Sequence, residues 1–338
     1  MTSQSIMALR RRLCSAAAAL PLLATLCAVS LGAGMAQAQG YPNKPVKFIV
    51  PFAAGSATDQ LARAFGTKVS EALGQPVVVE NKPGVNGMLG AADVAKAAPD
   101  GYTLLIGTNS TNAALKSLMK SLPYDQDTAF APVAYLGQVP LIVAVNNDLP
   151  VRTLKELVDL AKSKPAGHVT FASASTSQLV SSEMLASMAG IKMTNVPFRS
   201  GPDAMTNLIG GQVMMFTADF AVMVPQVKGG KVRGLAVTSM KRSPVVPELP
   251  TVNEALGLKD YELIAYFAAF APAGTPPEII NRLNAAFNAA ATSKDINDRF
   301  AGIGFVAEPG TPQALAERTR LETAKWARAI REAKIEAQ

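Results

Sequence analysis

Four stretches of this sequence pass directly from a short apolar run into a loop of small hydroxyl, amide and glycine residues that opens a helix. They read Pro51-Phe52-Ala53-Ala54-Gly55-Ser56-Ala57-Thr58-Asp59, Gly107-Thr108-Asn109-Ser110-Thr111-Asn112, Ala172-Ser173-Ala174-Ser175-Thr176-Ser177 and Pro197-Phe198-Arg199-Ser200-Gly201-Pro202. The chemistry open to such loops is anion capture. Small side chains let backbone N–H groups at a helix N-terminus approach a ligand, the helix dipole favours negative charge there, and Ser, Thr and Asn add donors without bulk. The same residues are ordinary helix caps, so a single loop of this kind decides nothing. Four of them at the carboxyl ends of strands, where ligands of α/β proteins sit, favour a binding site.

Residues for bond-making chemistry are scarce. The one histidine, His168, follows Pro165-Ala166-Gly167 in a turn and is expected at the surface. There is no G-x-S-x-G elbow, no H-E-x-x-H, no P-loop and no EF-hand spacing. Gly84, Gly87 and Gly90 are spaced three and three, which reads as a tight loop rather than a dinucleotide fingerprint. Asp125 and Asp127 fall in a polar loop and are expected to be solvated. Both cysteines, Cys14 and Cys27, precede residue 39, so the remainder has no thiol for a disulfide, a metal or a nucleophile. The inventory suits a binding protein with no catalytic residues, metal or cofactor.

The first 38 residues read as a secretory signal. Arg10, Arg11 and Arg12 precede an apolar run from Leu13 to Leu31, and Ala36-Gln37-Ala38 supplies small residues for a cut after Ala38. Leu26 ahead of Cys27 does not suit lipoprotein processing, so a soluble periplasmic product is expected. Three of the 32 basic residues and none of the 25 acidic ones lie in this segment, which leaves a net charge of +4 for the rest. Those charges are scattered and no basic run is interleaved with aromatics, which argues against nucleic acid as a partner. With 338 residues, 49% of them hydrophobic, the chain can bury a large core.

The elements that must position the loops are legible as alternating short strands and helices. Val46–Val50, Val77–Val79, Leu104–Ile106, Leu141–Val145, Val169–Phe171, Met214–Phe216 and Gly234–Val237 read as strands. Leu61, Phe65, Val69 and Leu73 recur every four residues, and Gly74 stops that helix. Thr153 with Glu156, Thr251 with Glu254 and Thr275 with Glu278 have capping-box spacing, and Pro276 and Pro312 suit first turns. A last helix from Pro312 to about Ile335, carrying Leu315, Leu321, Ala324, Trp326 and Ile330, is expected to pack across the outside of a domain. The alternation predicts an α/β protein with largely parallel sheets.

Longer motifs resemble a known family. They include Tyr41-Pro42-Asn43-Lys44-Pro45-Val46, Ile49-Val50-Pro51-Phe52 with Gly55 and Asp59, and Gly74-Gln75-Pro76-Val77-Val78-Val79-Glu80-Asn81-Lys82-Pro83-Gly84. Further on stand Pro99-Asp100-Gly101-Tyr102-Thr103-Leu104-Leu105, Gly210-Gly211-Gln212-Val213, Leu235-Ala236-Val237-Thr238-Ser239 and Ala271-Pro272-Ala273-Gly274-Thr275-Pro276. Together they resemble the Bug-type solute-binding proteins of tripartite tricarboxylate transporters over essentially the whole chain after Ala38. The resemblance implies a two-lobe periplasmic clamshell of the type II kind that closes on a small carboxylate and delivers it to membrane permease subunits, acting as a monomer. The alternative is an orphan receptor that presents its ligand to a sensor protein. Residues 39–139 with 261–338 would form lobe 1 and residues 140–260 lobe 2, with crossings near Val139–Leu141 and Tyr261–Tyr266.

By the same resemblance Ala54, Gly55, Ser56, Ala57, Thr58 and Asp59 form a carboxylate clamp, with capping an equal role for Asp59. Asn109, Ser110 and Thr111 lie on the same lobe. Ser173, Ser175, Thr176, Ser177, Phe198, Arg199, Ser200 and Asp219 contribute from the second. The chain departs from the family pattern in this wall. Its third loop is about two residues shorter, with Leu179 where a histidine is common, and Arg199-Ser200 replaces lysine-glycine. Ala218-Asp219 stands where an aspartate followed by a polar residue is frequent. These departures leave room for a larger dicarboxylate or for an aromatic acid such as terephthalate, another phthalate isomer or nicotinate, and Arg199 is expected either to grip a distal carboxylate or to face solvent or pair with Asp203 or Asp219.

Overall fold

The computed structural model describes residues 40–337, and the segment read as a secretory signal lies outside them. The fold described here is that of the unit that begins at Lys44. Its elements in chain order are β1 (Val46–Val50), α1 (Ala57–Leu73), β2 (Val77–Asn81), α2 (Met88–Ala95), β3 (Thr103–Thr108), α3 (Leu115–Leu118) and β4 (Phe130–Val145). There follow α4 (Leu154–Ser163), β5 (Thr170–Ser173), α5 (Thr176–Ala189), β6 (Thr194–Pro197), α6 (Gly201–Ile209), β7 (Met215–Asp219), α7 (Phe220–Lys228), β8 (Arg233–Val237) and α8 (Val252–Leu256). The chain ends with β9 (Ile264–Pro272), α9 (Pro277–Thr292), α10 (Lys294–Ala301), β10 (Val306–Ala307) and α11 (Pro312–Glu332).

The strands run in the order β2-β1-β3-β9-β4-β7-β5-β6, with β8 and β10 also paired to β4. β4 is the shared spine. Its residues from Phe130 to Pro140 pair with β9, and from Leu141 to Val145 it pairs with β7 on one side and β8 on the other. The partner changes at Pro140, which has no N–H to offer a ladder. Just beyond, the buried Thr238 ties the two regions together. The Leu141 N–H donates to Thr238 Oγ1 at 2.8 Å, and the Thr238 hydroxyl lies 2.6 Å from the carbonyl oxygen of Leu263, just ahead of β9. Two strand-rich regions thus meet at residues 140–141 and 263–264, which is the two-lobe clamshell architecture.

Each region builds its own core. In the first, Phe48 of β1 stacks on Phe287 of α9 with centroids 5.4 Å apart, and α1 turns Leu61, Phe65, Val69 and Leu73 inward, as their spacing predicts. Gly74 ends α1 in the left-handed conformation, φ 69°, its N–H bonded to the Ser70 carbonyl. In the second, Val143, Phe171, Met215, Leu235 and Tyr261 form one buried cluster. α11 packs against both β4 and α5, with Trp326 and Ile330 buried and Leu321 54% exposed.

Several expectations need correction. The parallel pairing holds for β2-β1-β3 and β7-β5-β6, but β9 and β4 pair antiparallel with their neighbours, so the sheet is mixed. β4 is 16 residues long rather than starting at Leu141, β6 is signalled only by the loop that follows it, and β9 and β10 carry no strand run of their own. Those strands are Ala-, Pro- or Asn-containing and lack clean alternation, so pairing rather than propensity makes them. The box at Thr251 forms in full, and at Thr153 the hydroxyl accepts the Glu156 N–H while the Glu156 carboxylate accepts the Arg152 N–H instead of closing the box; Thr275 donates its hydroxyl to the Pro272 carbonyl and leaves Pro276 as the cap of α9.

Candidate functional site

The loops after β1, β3, β5, β6 and β7 converge on one cleft between the two regions, which encloses about 530 Å³ including its solvent mouth. Four helices point their N-termini at it: α1, α5, α6 and α7, with Ser56, Ser175, Ser200 and Asp219 at their N-cap positions, of which Ser56 and Ser200 make a side-chain cap bond. That concentration of helix N-termini produces positive potential in a space with few charged side chains.

On the first wall Ser56 accepts the Asp59 N–H at 3.2 Å and so opens α1, whose first residues, Ala57 and the buried Thr58, line the cleft. Asp59 itself turns away from the cleft. It accepts the Gly55 N–H at 3.0 Å and the Asn81 amide at 2.9 Å and pairs with Arg63 at 2.9 Å. Burial would raise its carboxyl, but the bonds from Arg63, Gly55 and Asn81 prevail and hold it below the usual carboxylate range. It therefore fixes the loop shape from behind.

The second wall meets the first through Asn109, which is fully buried. Its amide donates to the Ile264 carbonyl at 3.0 Å and its oxygen accepts the Ser177 hydroxyl at 3.2 Å, while Ser110 and Ser177 hydroxyls lie 3.4 Å apart. Gln178 reaches back to the Ala174 N–H at 2.7 Å and holds the third loop. Ser200 caps α6 through the Asp203 N–H. Phe52, Val222, Ala265 and Phe267 supply apolar surface between these polar groups.

Of the residues singled out in the sequence, Ser56, Ala57, Thr58, Asn109, Ser110, Ser175, Ser177, Arg199, Ser200 and Asp219 line this cleft. Ala54, Gly55, Asp59, Thr111, Ser173, Thr176 and Phe198 do not. Thr111 accepts the Thr108 N–H in the turn after β3, Thr176 is buried behind the loop, and Ser173 bonds Asn195. Phe198 and Ser173 instead line the neighbouring outer groove with Pro83–Gly87. Val222, Ala265 and Phe267 were missed. They read as ordinary core positions of a helix and a strand, and only the pairing of β9 between β3 and β4 brings the last two here.

The cleft has one cation and one anion. Arg199 is exposed and forms no ion pair among the described residues, neither with Asp203 nor with Asp219. Burial pushes the Asp219 carboxyl up to about 6. The folded state thus retains a proton that the unfolded chain, with an ordinary carboxyl near 3.9, releases. The contribution to stability is full below about pH 4 and is lost as pH rises through 6. Asp219→Asn is expected to stabilise the ligand-free protein by roughly 1–3 kcal/mol at pH 7.5 and by almost nothing at pH 4, read from urea denaturation at both values. Equal effects at the two pH values would contradict this assignment.

The comparisons with known proteins agree with this geometry. Residues 61–335 match the model of the tripartite tricarboxylate transporter family receptor. The periplasmic binding protein BugD superposes with a TM-score of 0.84 at 32% identity, covering 88% of this chain and 100% of that one. Rpa4515 of R. palustris, solved with adipate, gives 0.85 at 32%, covering 88% and 100%. MatC (Rpa3494) of Rhodopseudomonas palustris, solved with malate, gives 0.82 at 33%, covering 86% and 100%. Among the described residues no helix is long and apolar enough to cross a membrane. With its family model matched over most of its length and its fold shared with BugD, the chain belongs to the tripartite tricarboxylate transporter receptor family, as a Bug-type solute-binding protein.

Proposed function

We propose that the protein is a periplasmic receptor that captures a small carboxylate and hands it to the permease of a tripartite tricarboxylate-type transporter, after export with cleavage following Ala38. The observation that carries this reading is the meeting of four helix N-termini and their hydroxyl donors, from both walls, on one cleft. Adipate and malate in two relatives that share the fold support a carboxylate as the ligand class. Ala57, Thr58, Ser175 and Ser200 provide donors for the carboxylate, and Phe52 and Phe267 enclose an apolar or aromatic middle. Lobe 1, residues 39–139 and 261–338, closes on lobe 2, residues 140–260, by bending at the Thr238 tie.

The test is a thermal-shift screen over aliphatic and aromatic mono- and dicarboxylates. An acid that binds only the folded state, present at about 100 times its Kd, adds roughly 2.7 kcal/mol, a shift of several degrees. No shift with any acid would remove the proposal. Arg199 makes a further expectation specific: unpaired at the cleft and equipped with a planar fork, it selects diacids. Arg199→Gln should weaken a diacid about tenfold or more and leave the matching monoacid within about twofold, as measured by calorimetric titration. Equal losses for both would assign Arg199 to the surface.

A further inference from the structure

A second groove shares no lining residue with the cleft. It runs between α11 and the start of β4 and encloses about 1060 Å³ including its open mouth. Its floor is aromatic: Phe130 meets Phe270 edge-on at 6.3 Å between centroids, and Tyr124 meets Phe130 edge-on at 5.4 Å. α11 brings only Ala316, Ala324 and Ala327 as apolar cover, small side chains that leave the groove open. Most polar groups around it are already satisfied. Asp127 pairs with Lys116 and Arg320 with Glu317, while the hydroxyls of Thr319 and Thr323 donate to the Leu315 and Thr319 carbonyls, each at 2.9 Å. Two amides are the exception. Gln126, 6% exposed, accepts the Lys116 N–H at 2.9 Å through Oε1, and its Nε2 has no partner among the described residues. Asn112, 2% exposed, accepts the Thr111 hydroxyl at 2.6 Å through Oδ1, and its Nδ2 makes no hydrogen bond among the described residues. With both oxygens committed, the two planar amides have only N–H donors left to offer. Buried donors without acceptors are rare in native proteins and costly.

We propose that this groove is a second binding site, and that it takes a neutral aromatic molecule bearing a carbonyl oxygen, such as an aryl amide, ketone or ester. An apolar hollow with a few polar groups of one kind is the usual form of a small-molecule site. The ring of the ligand packs against Phe130 and Phe270, in the edge-on or offset arrangements that aromatic pairs prefer. Its carbonyl accepts the N–H groups of Gln126 and Asn112. Neutrality follows from the charges at the rim, which cancel in pairs and leave none for the ligand. A carboxylate would give up its hydration for neutral donors alone. A ligand with donors and no acceptor is rejected, because the groove offers it no free oxygen. The site thus differs in kind from the cleft, where helix N-termini favour an anion, and it does not depend on the carboxylate reading.

Titration of the protein with benzamide, followed by NMR, tests this. The side-chain N–H₂ resonances of Gln126 and Asn112 and the backbone resonances of Phe130 and Ala324 should shift and saturate, while those of the cleft residues Thr58 and Ser175 stay in place. Benzylamine, which has the same ring and only donors, should bind about tenfold more weakly or worse. Gln126→Glu keeps an oxygen for the Lys116 N–H and puts a second oxygen where the free donor stood, so benzamide should lose about tenfold or more in affinity. Ala324→Trp, at an exposed position of α11, covers the aromatic floor without touching either amide and should abolish the shifts. No saturable shift in the groove, shifts confined to the cleft, equal binding of benzylamine, or undiminished affinity in either variant overturns the proposal.

Discussion

Gly137→Ala is expected to destabilise the protein by about 3–5 kcal/mol, enough to lower the melting temperature by several degrees or to prevent recovery of folded protein. Gly137 lies on β4 just before the strand changes partner, at φ 147°, a conformation that side-chain-bearing residues rarely adopt. A Cβ there would stand 2.2 Å from the Val306 carbonyl oxygen and 2.5 Å from the Phe305 ring. Neither neighbour can yield cheaply. Val306 is held by pairing with β4, and Phe305 is buried against Phe65, Phe267 and Phe300. The glycine is therefore the condition for β10 to close over the spine next to the crossing. Equilibrium denaturation of the variant checks this, and a loss below about 1 kcal/mol would mean that the strand crosses differently.

Asn109→Ala carries the second large effect, because one amide holds three parts of the molecule. Its removal leaves the Ile264 carbonyl and the Ser177 hydroxyl without the partners they have at 3.0 and 3.2 Å. The Ile264 carbonyl loses its side-chain partner and the Ser177 hydroxyl keeps only the Ser110 hydroxyl at 3.4 Å, which should cost about 1–3 kcal/mol in stability. Ligand affinity should fall as well, by about tenfold or more, since the α5 N-terminus loses the bond at Ser177 that ties it to the turn after β3 and β9 loses its link to the same turn. Urea denaturation and titration of the same variant separate the two losses. Normal affinity together with normal stability would exclude Asn109 from the junction between the walls.

What could be read in the sequence follows from the range of the forces involved. Caps and turns are local, so Ser56, Thr153, Thr251 and Gly74 announced helix ends where the structure has them. The loops were recognisable for the same reason, and ten of the residues named in them or beside them do line the cleft. His168, likewise, sits exposed in the turn that its proline and glycine neighbours predict. The residues misplaced within those loops are ones whose partners lie far along the chain. Nothing near Asp59 in sequence shows that Asn81 will claim its second oxygen, and nothing near Ser173 points to Asn195. Phe267 is legible as apolar but not as a cleft wall, because its neighbours are set by β9 lying antiparallel between β3 and β4. The antiparallel spine was invisible for a related reason. Alternating strands and helices imply parallel pairing by connectivity, and a strand such as β4 that belongs to two regions breaks that logic.

The claim at the centre of this account is that both walls of one cleft grip the same carboxylate, and it is tested most directly by titrating the best acid from the screen into wild type, Thr58→Ala and Ser175→Ala. Thr58 stands on the first wall and Ser175 on the second, and both line the cleft. The loss of one hydrogen bond to a charged group is worth about 1.5–3 kcal/mol, so each variant should bind about ten- to a hundredfold more weakly. If both variants bind as tightly as wild type, the carboxylate does not sit between these loops.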